Sequence, residues 1–224
     1  MRRILVAGVL LVMLATPAAS QAQARRAHGA QLATIKVDNP VQYEGGPMGC
    51  PDPAVFNYDG GYVASCTSGV QQPALPIYYS TDLTHWTLEA HINPPASMMM
   101  PGGQVWADEI HYLNGQWTAW YALMTPSGQM VIAESWSPNL FASNWQTKIV
   151  YMSGNNQWAI DPSVQWDTTQ PETLDMVFQV DGHIYIAALK GPNWQVAGTP
   201  RQISAPTLRW ENGWEEGACL VECG

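Results

Sequence analysis

Four acidic residues recur along the chain at nearly equal intervals, and each opens a short strand-like segment. Asp52, Asp108, Asp161 and Glu216 are separated by 56, 53 and 55 residues. If a repeating fold brings such positions together, the carboxylates cannot all stay ionised cheaply, and one of them should keep its proton at neutral pH. A protonated carboxyl facing an ionised one is the arrangement that hydrolyses a glycosidic bond. The spacing therefore indicates acid and base chemistry on sugars.

The residues next to these acids indicate how the carboxylates are oriented and whether a sugar could stack beside them. Pro53 and Pro162 follow Asp52 and Asp161, and a proline biases the residue before it towards extended backbone. An indole face can stack on a sugar ring, although a tryptophan can equally wedge neighbouring repeats together. Both roles stay open for the tryptophans just upstream of three of the acids: Trp106, Trp158 and Trp214.

The segments around the acids have the pattern of β-hairpins. No sustained 3.6-residue apolar period occurs after residue 40; short alternating runs dominate instead. Three pairs of runs flank Asp-Gly or Asn-Gly turns, whose residues accept positive φ. The paired runs are 54–58 with 62–67, 109–113 with 116–123, and 175–180 with 183–189.

A second pair of runs follows each of the first two hairpins, residues 77–80 leading to Trp86 and residues 131–135 leading to Trp145. Four strands per unit predict an all-β propeller whose blades are about 55 residues long. The first strand of each blade lines the central channel, so the four acids would converge there. A β-sandwich with acids spaced evenly by coincidence is the weaker interpretation, because three intervals match.

Composition limits the possible partners. The chain of 224 residues has a formal charge of −9, and residues 31–224 alone carry −13. Such an acidic body argues against nonspecific binding to nucleic acid. Its 11 Trp, 9 Tyr, 19 Gly and 17 Pro are typical of a turn-rich β protein with a sizeable core.

The N-terminus has the features of a secretory signal peptide over residues 1–24. Arg2 and Arg3 precede an apolar stretch over residues 4–15, and small residues permit cleavage after Ala22 or Ala24. Residues 25–37 would form a linker. We therefore expect a secreted protein, extracellular or periplasmic, without a membrane anchor after cleavage.

Five motifs follow one another between residues 38 and 224: Cys50-Pro-Asp-Pro-Ala-Val55, Ser80-Thr-Asp-Leu-Thr-His-Trp86, Trp106-Ala-Asp-Glu-Ile110, Ile160-Asp-Pro-Ser-Val164 and Glu216-Gly-Ala218. In this order they resemble glycoside hydrolase family 43. The resemblance implies a five-bladed β-propeller that acts on arabinose- and xylose-containing plant polysaccharides and inverts the anomeric centre. An α-L-arabinofuranosidase or a β-xylosidase is the expected activity.

Carried over position by position, the resemblance makes Asp52 the general base and Glu216 the general acid. Asp161 becomes the carboxylate that tunes and orients the acid. In an inverting enzyme the acid and base lie roughly 6.5–9.5 Å apart, which leaves room for a water molecule. The family pattern has Pro where Ala218 and Asp108 stand. Asp108 is either a solvated acid at a strand end, the favoured interpretation, or a substrate-binding residue of the pocket.

Two other glutamates compete for the role of the acid. Glu215 is adjacent to Glu216 but would point to the opposite face of a strand. Glu222 with Cys223 has the Glu-Cys pattern of glycoside hydrolase family 32, yet it lies 61 residues after Asp161 and breaks the period. Glu216 is therefore the preferred acid.

The four cysteines favour disulfides in an exported protein. Cys50, Cys66, Cys219 and Cys223 allow three connectivities, of which Cys50 with Cys66 is the simplest. No metal-ligand spacing occurs among the cysteines and histidines, so no cofactor is expected to be required. The resemblance still leaves room for a structural Ca²⁺ ion in the channel of a complete propeller.

A carbohydrate-binding propeller without turnover is the second functional hypothesis, but three acids kept in register favour the enzyme. The period predicts about three blades and the start of a fourth within the chain. The sequence therefore predicts a C-terminally incomplete propeller, inactive or insoluble on its own, and a monomer when complete.

Overall fold

The computed structural model describes residues 41–44, 46–69, 73–170, 172–191 and 193–221. The predicted signal peptide and linker lie outside the described residues, as do Glu222 and Cys223. Among the described residues no helix is long and apolar enough to cross a bilayer.

The first sheet has six strands in the order β2-β1-β6-β5-β4-β3. Neighbours from β3 to β6 are antiparallel, and β1 adds to β6 in parallel. Its strands are β1 (Gln42–Tyr43), β2 (Gly46–Pro47), β3 (Ala54–Tyr58), β4 (Gly61–Ser65), β5 (Pro76–Ser80) and β6 (His85–His91).

The second and third sheets are antiparallel meanders of four strands each. Short 3-10 turns lie at Ala96–Met98, Gly154–Asn156 and Arg209–Glu211. The second sheet contains β7 (Val105–Leu113), β8 (Gln116–Met124), β9 (Met130–Ser137) and β10 (Gln146–Tyr151). The third contains β11 (Ala159–Trp166), β12 (Thr173–Val180), β13 (His183–Lys190) and β14 (Gln195–Ser204).

All three predicted hairpins are confirmed. Each turn has two successive residues with positive φ, such as 49° at Asn114 and 81° at Gly115. Two positive φ values give the turn a twist that matches the twist of the strands it joins. Each sheet contains four antiparallel strands that are consecutive in sequence, which is the architecture of a propeller blade. The three sheets are therefore blades, and the sandwich interpretation is wrong.

The middle blade is covered on both faces, as strand β8 shows. Tyr121 and Leu123 pack into a core shared with the first blade, and Trp120 packs into one shared with the third. All three side chains have no exposed surface. Because successive side chains of a strand point to opposite faces, this apolar run lets β8 support both neighbours.

The first strands of the second and third blades contain the same β-bulge. Residues 107–108 oppose the single residue Tyr121, and residues 161–162 oppose the single residue Phe178. The first bulge residue has positive φ in both cases, 31° at Ala107 and 52° at Asp161. A positive φ at this position is typical of one class of bulge.

Asp52 and Gly217 have the same left-handed backbone at the start of the first blade and after the third, with φ of 50° and 68°. The expectation of extended backbone at Asp52 and Asp161 is therefore wrong. At Asp161 the bulge geometry overrides the preference set by the following proline. Aspartate also tolerates positive φ better than most residues, which applies to Asp52 as well.

The structural repeat consequently runs Asp52, Ala107, Asp161, Gly217, at intervals of 55, 54 and 56 residues. Ala107, and not Asp108, is the residue of the second blade that corresponds to Asp161. Asp108 corresponds to Pro162, the next residue of the third blade. Asp108 is only 6% exposed, so the favoured interpretation of this residue as a solvated acid is wrong.

Burial raises the pKa of Asp108 to about 7. Both carboxylate oxygens are buried, and the Ser65 hydroxyl beside them offsets this effect only in part. The negative charge of Glu109 raises the pKa further. Asp108 is thus an ionisable group inside the blade packing, where its charged form is disfavoured.

We expect Asp108→Asn to flatten the pH dependence of stability. Between the ordinary value of 3.8 and about 7, the folded protein keeps a proton that the unfolded chain releases. The free energy of unfolding should therefore fall as pH rises through this interval, by up to about 4 kcal/mol at ~1.4 kcal/mol per pKa unit.

Urea unfolding at pH 4, 5.5, 7 and 8 measures this effect. The difference between wild type and Asp108→Asn should grow in favour of the variant up to pH 7 and then level off. Asp59→Asn, in an exposed hairpin turn, is the control and should keep the wild-type slope. Parallel curves for wild type and Asp108→Asn would contradict the burial of an ionisable carboxyl.

Candidate active site

The predicted catalytic carboxylates lie in the wall of one cavity of about 600 Å³. Asp52 reaches it from the loop before β3, Asp161 from the bulge of β11 and Glu216 from the segment after β14. The middle blade contributes the stretch from Ala107 to His111, which includes Asp108. The blade repeat therefore brings together acids that are distant in sequence.

Asp52 is held by a hydroxyl. Its Oδ2 accepts a hydrogen bond of 2.7 Å from Thr67 Oγ1. Thr67 follows Cys66, whose disulfide with Cys50 confirms the simplest pairing. Cys219 is a free, exposed thiol, and its possible partner Cys223 lies outside the described residues.

Asp161 is the carboxylate whose pKa is affected by the other two. Burial is the largest cause that raises its pKa, and the charges of Glu216 and Asp52 raise it further. The backbone N–H of Gly217 donates to Asp161 Oδ2 at 3.0 Å and acts in the opposite direction. Crowding by the two acids thus adds to the effect of burial on the pKa of Asp161. That one carboxyl of the set keeps its proton at neutral pH stays a prediction.

Glu216 is fixed through one of its two oxygens. Trp214 Nε1 donates to Glu216 Oε2 at 2.8 Å. The Trp214 backbone lies so close to Gly182 that a Cβ there would come within 3.2 Å of Trp214 Cα. Because glycine at position 182 permits this approach, the segment that carries Glu216 can pack on the third blade.

Glu215 points away from the cavity, as its place in the sequence predicts. Its Oε1 accepts a hydrogen bond of 3.0 Å from the hydroxyl of Ser204, on β14. Its backbone N–H donates to the carbonyl oxygen of Gly182 at 3.0 Å. Glu215 thus ties the segment to the third blade, and Glu216 remains the acid of this pair that faces the cavity.

None of the three tryptophans lines the cavity itself in the described part of the chain. Trp106 packs edge to face on Trp158, with ring centroids 5.7 Å apart, and against a small core of Ala122, Met130 and Ile160. Trp158 and Trp214 are 37% and 45% exposed. Trp106 therefore contributes to packing within the fold, and sugar stacking on any of the three tryptophans stays a prediction.

Sequence reasoning missed Glu109, which lines the cavity together with His111. Glu109 Oε1 lies 2.7 Å from His111 Nε2, and Oε2 accepts a hydrogen bond of 2.8 Å from the Val164 backbone N–H. The second contact joins the middle blade to the third. Its place directly after Asp108 in the Trp106-Ala-Asp-Glu-Ile110 motif is the signal that could have revealed this residue.

A Ca²⁺ ion in the channel of a complete propeller stays a prediction. Among the described residues, no group of three or more His, Cys, Asp or Glu side chains is placed to hold a metal.

The chain is similar in sequence to proteins named as an arabinofuranosidase and an arabinanase. It is 25% identical over 198 residues to an extracellular exo-α-(1→5)-L-arabinofuranosidase of Streptomyces avermitilis, covering 77% of this chain and 38% of that protein. It is 26% identical over 183 residues to an extracellular endo-α-(1→5)-L-arabinanase of Bacillus subtilis, covering 73% and 56%. The chain thus spans less than two thirds of either relative.

The fold is that of five-bladed propellers. A family 43 endo-arabinanase from Bacillus licheniformis superposes with a TM-score of 0.63 at 20% identity, covering 78% of this chain and 62% of that one. The described residues form three blades of such a propeller. The family model described as glycosyl hydrolases family 43 matches residues 38–224. The chain therefore belongs to glycosyl hydrolase family 43.

Proposed function

We propose that the domain to which this chain belongs hydrolyses α-L-arabinofuranosidic bonds by an inverting acid and base mechanism. The observation that carries the proposal is the convergence of Asp52, Asp161 and Glu216 on one cavity. Each carboxylate comes from a different segment of the repeat, and each has one oxygen committed to a neighbouring donor. A second oxygen is left on each for substrate or water.

In the proposed reaction Asp52 is the general base. With Oδ2 bound to Thr67, Oδ1 accepts a proton from the attacking water. The water oxygen forms a bond to the anomeric carbon as the glycosidic bond breaks. Base and acid act on opposite faces of the sugar, so the configuration inverts.

Glu216 is the general acid. With Oε2 held by Trp214, Oε1 carries the proton that passes to the leaving oxygen. Asp161 lies within electrostatic range of both partners, since their charges raise its pKa. Its negative charge and its bond to the Gly217 amide orient the segment that carries the acid.

The substrate class rests on the relatives' names. The curated relatives from Streptomyces avermitilis and Humicola insolens are named as α-L-arabinofuranosidases, and the one from Bacillus subtilis as an endo-α-(1→5)-L-arabinanase. These names favour arabinofuranosides in plant-type polysaccharides or oligosaccharides over xylosides. β-Xylosides are the competing substrates in the assay below.

Export fits the same proposal. Two relatives are named as extracellular, and the Cys50–Cys66 disulfide suits an oxidising compartment. We expect the protein to be secreted and to work as a monomer when the propeller is complete.

We expect Asp52→Asn and Glu216→Gln to differ in their dependence on the leaving group. Loss of the base should lower kcat by about 10²–10⁴ on both arabino-oligosaccharides and p-nitrophenyl arabinofuranoside. Loss of the acid should have a similar effect on the oligosaccharides but a much smaller one on the nitrophenyl substrate, because nitrophenolate leaves without protonation. Steady-state kinetics of the full-length gene product measure both.

Glu215→Gln is the matched control, since that neighbouring side chain bonds Ser204 outside the cavity, and it should retain wild-type kcat on both substrates. Binding of oligosaccharides without release of nitrophenol by wild type would leave the carbohydrate-binding hypothesis instead. Faster turnover of nitrophenyl β-xyloside than of the arabinofuranoside would overturn the substrate assignment.

The first-formed arabinose should have the inverted anomeric configuration. One-step displacement by water on the face opposite the leaving group requires this outcome. Proton NMR during the first minutes, before mutarotation mixes the anomers, measures it. A product of retained configuration would rule out the assignment of Asp52 as a base that activates water.

A further inference from the structure

The loop that carries Asp52 is attached to the middle blade through one short segment, Cys66–Ser68, which we name the clamp. Each of its three residues makes a cross-link. Cys66 forms the disulfide with Cys50, two residues before Asp52. Ser68 pairs with Val105 at the start of β7 through two backbone hydrogen bonds of 2.9 and 3.2 Å.

Thr67, at the centre of the clamp, contacts both sides at once. Its backbone N–H donates to the carbonyl oxygen of Pro51 at 3.0 Å. Its hydroxyl donates to Asp52 Oδ2 at 2.7 Å and accepts the backbone N–H of Ala107 at 2.7 Å. One side chain thus joins the Asp52 loop to the bulge of the middle blade.

The direction of the hydroxyl hydrogen is determined by these contacts. A threonine hydroxyl has one hydrogen and two lone pairs. The Ala107 N–H can only donate, so it occupies a lone pair and leaves the hydrogen for Asp52. The equivalent amide two repeats later, Gly217 N–H, donates directly to Asp161. Asp161 thus accepts a backbone amide directly, whereas the Thr67 hydroxyl lies between the Ala107 amide and Asp52.

From these contacts we propose that Thr67 is a positioning residue for Asp52. Its hydroxyl holds Oδ2 and so keeps Oδ1 turned towards the cavity, where the proposed function requires a proton acceptor. The inference rests on the role proposed for Asp52 in that function. Without the hydroxyl, the carboxylate can rotate and the Ala107 amide loses its acceptor.

Thr67→Val and Thr67→Ser test the proposal, because valine keeps the shape and serine keeps the hydroxyl. We expect Thr67→Val to lower kcat on arabinofuranosides by about 10–100-fold with little change in KM, as for a misplaced catalytic group. Thr67→Ser should restore most of the rate. In the Asp52→Asn background, Thr67→Val should cause no further loss, because the two residues act together.

A matched control is available at Thr169, whose hydroxyl donates to Asp167 Oδ1 at 2.6 Å, outside the cavity wall. Thr169→Val removes the same kind of bond and should leave kcat unchanged. Amide exchange at Ala107 gives a readout that needs no turnover: it should accelerate in Thr67→Val but not in Thr67→Ser or Thr169→Val.

The outcomes separate this inference from the proposed function. If wild type is active and Thr67→Val keeps its kcat, the positioning role is overturned and the proposed function stands. If wild type hydrolyses neither arabinofuranosides nor xylosides, the proposed function fails. Amide exchange at Ala107 then decides whether the Thr67 hydroxyl connects Ala107 to Asp52. Faster exchange in Thr67→Val supports this connection, and unchanged exchange overturns it.

Discussion

A backbone amide that reaches back to the preceding blade organises the cavity. At Ala107 and Gly217 the chain turns through a residue with positive φ, and the backbone N–H of that residue donates towards the preceding blade. Gly217 donates directly to Asp161, and Ala107 reaches Asp52 through the hydroxyl of Thr67. A hydrogen bond to a charged acceptor is stronger than a neutral one. These hydrogen bonds hold the carboxylates of Asp52 and Asp161 in place. The same hydrogen bonds also connect neighbouring blades.

The cavity concentrates negative charge with little compensation. Asp52, Asp161 and Glu216 share its wall, which includes His111 but no lysine or arginine among the described residues. The raised pKa of Asp161 follows from burial together with its two acidic neighbours. Hydrogen-bond donors, and not cations, therefore stabilise the site. Such an arrangement leaves the carboxylates able to exchange protons, which a strong ion pair would oppose.

Much of the fold could be predicted from the sequence because its signals are local. Asn114-Gly115 specifies a hairpin by its φ preferences alone, and the blade period follows from counting such turns. The position of Asp108 could not be predicted, since a bulge adds a residue to a strand without changing the residue types around it. The spacing therefore assigned to Asp108 a place that belongs to Ala107. Thr67 was also missed, because its role depends on contacts between segments 15 and 40 residues apart.

The central claim is that a backbone amide of the following repeat is bonded to Asp161 directly and to Asp52 through the hydroxyl of Thr67. The most direct measurement is the chemical shift of the Gly217 amide proton between pH 2 and 8. It should follow the titration of Asp161, with a midpoint above the ordinary value of 3.8, and it should lose this transition in Asp161→Asn. An amide shift that stays constant over this range would contradict the claim.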